Sequence, residues 1–286
     1  MFEKRVSGTI VYYTSTLLEK NGFKNAFCAK FGGVSGDCFE SLNVSFNRKD
    51  ENGGTDTREN VVENYRRALF VVGSTPESAV GAKQVHENTV RTASENDAGL
   101  EILRESDTGY DAVVVGAENR NVNAACVKTA DCVPVLLANI RTGDICAVHA
   151  GWRGTVSDIV TNAVRKLSDN PSDIAAAIGP CIGPCCYEVG NEVYEAVKSL
   201  FEIKGISHLA PMMFLNAGMC SISDKKYANL ALVNRTLLEC AGVSPENIEV
   251  SNICTCCTVE KGENPFFSHR ASGGHSGTFL SVISKR

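Results

Sequence analysis

The chain has 286 residues, 43% of them hydrophobic and 21% charged, with a formal net charge of −5. That is enough chain to bury a sizeable core. The balance excludes a long nucleic-acid backbone as the main partner, since no dense Lys/Arg run is present, and no apolar run reaches the ~18 residues of a membrane helix.

In chain order, the opening MFEKRVSGTIVYYTSTLLEKNGF does not read as a secretory signal, because Glu3 and Lys4 interrupt it and no small-residue cleavage site follows. A cytoplasmic protein is expected, with its thirteen cysteines reduced and mostly serving as small buried hydrophobes. VSGTIVYYTSTLL reads as one strand, and a second begins near Ala26. GGVSGDCFESLNVSFN reads as a loop running into a short strand. From Arg58, RENVVENYRRALFVVG carries Val61, Val62, Tyr65 and Leu69 at helical spacing and ends at Gly73. AVGAKQVHENTVRTA reads as a strand pair about His86, and the polar SENDAGLEILRESDTG as an exposed excursion. YDAVVVG and NVNAACVKTA read as strands. CVPVLLANI and DICAVHAGW form a hairpin closed by Arg141-Thr142-Gly143-Asp144.

TVSDIVTNAVRKLSDN is an amphipathic helix with Ile159, Val160, Ala163, Val164 and Leu167 on one face. Thr155 or Ser157 is expected to cap it. SDIAAAIGPCIGPCCYEVG is a strand and then a Gly/Pro loop. NEVYEAVKSLFEI and YANLALVNRTLLECAG are helices, the latter closed by Gly242. NIEVSNICT and TFLSVIS are strands flanking the loop PFFSHRASGGHSG. No repeat or linker interrupts the chain, so one domain of intermixed strands and helices over residues 1–286 is expected.

The chemistry concentrates at three residues. His86, Cys132 and His149 each sit at an expected strand–loop edge, where catalytic groups tend to gather. Two imidazoles and a thiolate are a sound zinc set, and three protein ligands leave a fourth position open to water. Their spacing matches no short zinc motif, and a core cysteine with two hydrogen-bonded histidines is the competing reading. Asp131, beside Cys132, and Glu87, beside His86, are candidate acid/base groups. In GWRGT, Arg153 lies between glycines ahead of a helix, where a guanidinium and helix amides together would hold phosphate; a surface arginine in a turn is the alternative. Arg270 in FFSHRASGG is a candidate second anion or substrate contact, with a solvated loop the alternative, and Ser35 and Asn43 in GGVSGDCFESLN are candidate contacts to sugar hydroxyls or phosphate, with a plain turn the alternative. The clusters Cys181, Cys185, Cys186 and Cys254, Cys256, Cys257 do not read as C-x-x-C knuckles. They suggest a second, structural zinc, but adjacent cysteines rarely share one ion, so incidental buried thiols are the default expectation there.

KQVHENTV, TADCVPVLL, AVHAGWRGT, IGPCIGPCCYEVG and CTCC…FFSHR occur in this order, with GGVS…SLNVSFN and ENVVENYRR upstream. Together they resemble the laccase-domain family, once called multicopper polyphenol oxidases and now described as purine nucleoside phosphorylases with adenosine deaminase activity. The resemblance implies an αβ fold of two packed mixed sheets flanked by helices, similar to a bacterial toxin deamidase with a Cys–His site. It also implies one zinc on His86, Cys132 and His149. Two positions depart from the family pattern: Ala271 stands where a second Arg is usual, and Gly277-Thr278 where Gly-Arg opens the last strand.

Three functions compete. A zinc-dependent enzyme would act on purine nucleosides and phosphate. A multicopper phenol oxidase needs many imidazoles, and the chain has five histidines with no His-x-His pair, although one copper could replace zinc at the same donors. A metal-free hydrolase would use Cys132 as nucleophile and His149 as base, leaving His86 without a role.

Overall fold

The computed structural model describes residues 1–216 and 226–286. Its frame is a pair of six-stranded mixed sheets. The first runs Phe2–Ser7, Ile10–Ser15, Asn25–Cys28, Phe279–Ser284, Ala124–Thr129, Ala79–Gly81. Its neighbours are antiparallel except the last pair. The second runs Ile248–Val250, Ile174–Ile178, Val133–Asn139, Ile145–Ala150, Ala112–Val115, Val90–Thr92. It is parallel at both edges and antiparallel between them.

The sheets face each other across a shared core. Phe27, Val127, Phe279 and Ile283 of the first meet Val113, Leu136, Ala147 and Ala177 of the second. The second sheet's other face packs Val135, Leu137 and Val148 against the helices Ile159–Leu167, Asn191–Ile203 and Leu230–Cys240. The first sheet's outer face packs Leu280 and Val282 against Val61, Tyr65 and Leu69 of the helix Arg58–Phe70. Strands buried on both faces read as unbroken apolar runs rather than alternation, which explains VPVLLAN and ICAVHA. Each large aliphatic side chain so buried contributes about 1.5–3 kcal/mol. The expected mixed sheets flanked by helices are therefore observed.

Several local expectations are corrected. VSGTIVYYTSTLL is not one strand: Gly8, at φ 59°, turns the chain between Phe2–Ser7 and Ile10–Ser15. Ser15 then caps the short helix Thr16–Lys20 by accepting the Leu18 amide. No strand forms at Asn43–Phe46, where the Asn43 side chain takes the amides that a ladder would have paired, those of Ser45 and Thr278. The excursion after Ser94 is not wholly exposed, because Leu100 and Ile102 are buried. The helix after Gly151 is split into Trp152–Val156 and Ile159–Leu167 by Asp158, at φ 69°. Neither Thr155 nor Ser157 caps the second piece; Asp158 precedes it and accepts the Thr161 hydroxyl at 2.6 Å. A third, three-stranded sheet joins Glu188–Val189, Lys226–Ala228 and Phe214–Asn216, so YANL begins in a strand. Among the described residues no helix is long and apolar enough to cross a membrane.

Candidate functional site

Sheet register assembles the site. In the hairpin, Val133 pairs Ala150 and Pro134 pairs His149, so Cys132, one step outside the ladder, faces the end of the His149 strand. On the other side Ala112 pairs Val148, which places Asp111 opposite His149; the His149 amide donates to the Asp111 carbonyl at 2.7 Å. Cys132, His149 and Asp111 thus form a row across three neighbouring strands at one end of the second sheet. His86 arrives from the loop between Ala79–Gly81 and Val90–Thr92. That loop is tied down by Asp111, whose carboxylate accepts the amides of Val85, His86 and Glu87 at 3.1, 3.0 and 2.8 Å.

The ligand atoms of His86, Cys132 and His149 all lie within 4.8 Å of one another, and the two imidazoles meet edge to face at 4.8 Å between centroids. His149 is buried and its Nδ1 sits 2.8 Å from Asp111 Oδ1. That contact leaves Nε2 for a metal, the usual carboxylate–histidine arrangement. Gly151 completes the packing. A Cβ there would lie 3.0 Å from His86 Cδ2 and 3.3 Å from the Cys132 sulfur, so any side chain would press on the cluster. His86 and Asp131 both hold positive φ, 63° and 90°, a backbone cost of the kind stored at functional sites.

Electrostatics reinforce the cluster. Burial alone would raise the Cys132 thiol, but the charge of His149 and hydrogen bonds from His149 and His86 outweigh it and bring the thiol down to about 6. Burial alone would lower His149, but the Cys132 thiolate and the Asp111 bond raise it to about 9. Burial likewise opposes ionisation of Asp111, and the His149 bond with the Glu87 and Val85 amides leaves it below its ordinary value. The shifts run in the direction that favours the Cys132 thiolate and the charged His149 ring, with the ring oriented by the Asp111 carboxylate.

A cavity of about 260 Å³ opens beside the cluster, lined by His86, Cys132, Trp152, Arg153, Tyr187 and Arg270, among others. Arg153 is exposed and its guanidinium lies 4.4 Å from the centre of the Trp152 ring. Among the described residues no carboxylate pairs with it. It stands inside the five-residue helix Trp152–Val156 rather than ahead of a long one, so helix amides add little to its pull. The Arg270 guanidinium donates to the carbonyls of Cys186 and Glu188 at 3.1 and 3.0 Å.

Asp131 also borders the cavity, with both carboxylate oxygens engaged: Oδ1 accepts the Thr255 hydroxyl at 2.6 Å and Oδ2 the Arg270 amide at 2.7 Å. The structure gives it a positioning role, pinning two loops beside Cys132. Glu87 is exposed and not among the cavity residues. Ser35 and Asn43 are not brought to the cavity either. Both are buried and bond to Asp56, and the Asn64 amide donates to Ser35 at 2.8 Å. Asp111, Gly151 and Tyr187 are the site residues that the sequence reading missed. The usable signal for Asp111 was an acid placed directly ahead of a wholly apolar strand, as Asp131-Cys132 precedes VPVLL.

A family model described as multi-copper polyphenol oxidoreductase laccase matches residues 24–286. The chain belongs to that laccase-like family. Purine nucleoside phosphorylase YlmD of Bacillus subtilis (strain 168) is 32% identical over 263 residues, covering 90% of this chain and 86% of its own length. Adenosine deaminase RL5, from an unknown prokaryotic organism, is 33% identical over 209 residues, covering 71% and 74%. Among solved structures, Bacillus licheniformis YfiH superposes with a TM-score of 0.83 at 28% identity over 99% of both chains. Geobacillus stearothermophilus YlmD superposes at 0.82 and 28% identity, over 100% of this chain and 98% of its own. Members of the laccase-like family thus share this fold and bear the names of purine nucleoside enzymes.

Proposed function

We propose that the chain is a zinc-dependent purine nucleoside enzyme. It would cleave adenosine, inosine, guanosine or methylthioadenosine with phosphate to the base and a sugar-1-phosphate, and deaminate adenosine to inosine with water. The observation that carries this reading is the convergence of His86, Cys132 and His149 within 4.8 Å, beside a cavity edged by Arg153. Two imidazoles and one thiolate fit zinc, and a zinc ion held there would supply Lewis-acid polarisation of an oxygen. Asp111 fixes the His149 ring, and Gly151 leaves the donors room to close. Trp152 and Tyr187 give the cavity flat walls suited to a purine. Arg153 holds phosphate so that one phosphate oxygen forms the bond to C1′ as the C1′–base bond breaks, and the base leaves with the proton that the phosphate gives up. The reading involves no nucleic acid or membrane and a cytoplasmic setting.

A multicopper cluster fits poorly, because only His86 and His149 of the five histidines belong to the donor cluster. A single copper at the same donors suits their softness. One observation favours a second reading, a metal-free cysteine hydrolase. Cys132, His149 and Asp111 are connected as nucleophile, base and orienting acid, with the thiol held near 6.

The test is product analysis of purified protein with adenosine, inosine and methylthioadenosine, with and without phosphate. Free base with sugar-1-phosphate, formed only when phosphate is present, supports phosphorolysis; no turnover of any nucleoside sinks the proposal. Arg153→Ala adds a finer test, because phosphorolysis needs an anion site and deamination does not. Losing one charge-assisted contact costs on the order of 1.5–3 kcal/mol, roughly ten- to a hundredfold. We expect that loss in inosine phosphorolysis with varied phosphate, and a smaller one in adenosine deamination. Equal losses would mean that Arg153 shapes the pocket or contacts the nucleoside, and would remove the phosphate assignment.

A further inference from the structure

A second set of donors lies behind the wall of the same cavity. Cys185 and Cys186 come from the loop after the strand Ile174–Ile178, and Cys254 and Cys257 from the loop after Ile248–Val250. The two loops run side by side because those strands are parallel neighbours. The pairing continues past the strand ends, where the Cys181 amide donates to the Ile253 carbonyl at 3.2 Å and the Thr255 amide to the Cys181 carbonyl at 3.0 Å. All four sulfurs lie within 4.8 Å of one another, and those of Cys185 and Cys257 are 3.4 Å apart. This juxtaposition favours the structural-zinc alternative over incidental thiols. Cys254 and Cys257 do stand at C-x-x-C spacing, which the intervening Cys256 obscured.

From this geometry we propose that Cys185, Cys186, Cys254 and Cys257 form a tetrathiolate site for a structural zinc ion, separate from the His86–Cys132–His149 site. With zinc–sulfur bonds of about 2.3 Å, tetrahedral coordination sets the sulfurs roughly 3.8 Å apart, close to the spacing already present. The Gly183 amide donates to the Cys254 sulfur at 3.2 Å, and such a bond stabilises a thiolate without using the lone pair that faces the metal. Each ligating thiol gives up its proton, so binding releases protons to solvent. Four soft donors suit zinc and offer no open position for substrate.

The ion would join two loops that matter to the cavity. One carries Ile182 and Tyr187 of its lining; the other carries Thr255, whose hydroxyl holds Asp131 beside Cys132. This clamping role rests on the cavity being the active site. The metal site itself does not.

Metal analysis of protein purified under reducing conditions tests it. Wild type should carry about two zinc ions per chain, and the double variant His86→Ala/Cys132→Ala about one. Cys185→Ser/Cys257→Ser should also keep about one, now at the histidine site. Should that variant fail to fold, cobalt loading of His86→Ala/Cys132→Ala decides, since its remaining ion should show the strong thiolate-to-cobalt absorption of several sulfur ligands. Nucleoside turnover is not part of the readout, so failure of the proposed activity leaves this result interpretable. A His86→Ala/Cys132→Ala protein without tightly bound metal, or a Cys185–Cys257 disulfide in reduced preparations, overturns the proposal.

Discussion

Cys132→Ala should remove the metal at the histidine site and all nucleoside turnover together. Cys132 supplies the only thiolate of its set, and its sulfur lies within 4.8 Å of the ligand atoms of His86 and His149. Without it, two imidazoles remain, a much weaker pair of donors for zinc. Losing an outer-shell partner already costs ten- to a hundredfold in metal affinity, so losing a ligand should cost at least about a hundredfold. The fold should survive, since the residue is half-buried at the cavity edge and His149 keeps its bond to Asp111. Loss of turnover alone does not separate the zinc enzyme from the cysteine hydrolase, because both need the sulfur. His86→Ala separates them. It removes a zinc ligand but no member of the Cys132–His149–Asp111 row. Turnover and histidine-site metal falling together support zinc, whereas turnover persisting without metal supports the hydrolase. Unchanged metal and unchanged turnover in Cys132→Ala would sink both readings.

The parts of the fold legible in the sequence are those whose signal is local. VPVLLAN and ICAVHA are apolar but for Asn139 and His149, and the short turn through Thr142-Gly143 between them suits a hairpin. The helix Arg58–Phe70 shows its apolar face in the spacing of Val61, Tyr65 and Leu69, while its Thr57 cap emerges only from the structure. Gly8 was misread because one turn glycine in an apolar run weighs little against its neighbours, yet it divides two strands. The site followed the same division. His86, Cys132 and His149 were legible because their side chains suit a metal wherever the fold puts them. Ser35 and Asn43 were misplaced because a polar residue in a glycine-rich loop looks the same whether it meets a ligand or, as here, Asp56. The cysteine pairs became meaningful only through parallel pairing of strands about 70 residues apart in the chain, a nonlocal contact that loop spacing does not encode.

Asp111→Asn should weaken both the metal site and the fold, although it changes a single oxygen to an NH2 group. Asp111 is fully buried, and its two oxygens receive four donors. Oδ1 takes the His86 amide at 3.0 Å and faces His149 Nδ1 at 2.8 Å; Oδ2 takes the amides of Val85 at 3.1 Å and Glu87 at 2.8 Å. Asparagine keeps the shape but turns one acceptor into a donor. If the NH2 group faces His86 and His149, a ligand imidazole loses its orientation. If it faces Val85 and Glu87, two part-buried amides lose their acceptor and the His86 loop is released. Each unsatisfied buried donor costs about 1–3 kcal/mol, and water offsets part of that for the part-buried amides, so either orientation costs at most roughly 2–6 kcal/mol, set against the 5–15 kcal/mol typical of a folded domain. Metal affinity should fall about ten- to a hundredfold with the lost orientation. Chelator competition on the folded fraction reads the second effect, and thermal unfolding of the metal-free protein reads the first. Lower affinity with unchanged unfolding would confine Asp111 to orienting His149. Unchanged values in both measurements would mean that the carboxylate holds neither the loop nor the ring, and the row across the three strands would lose its role.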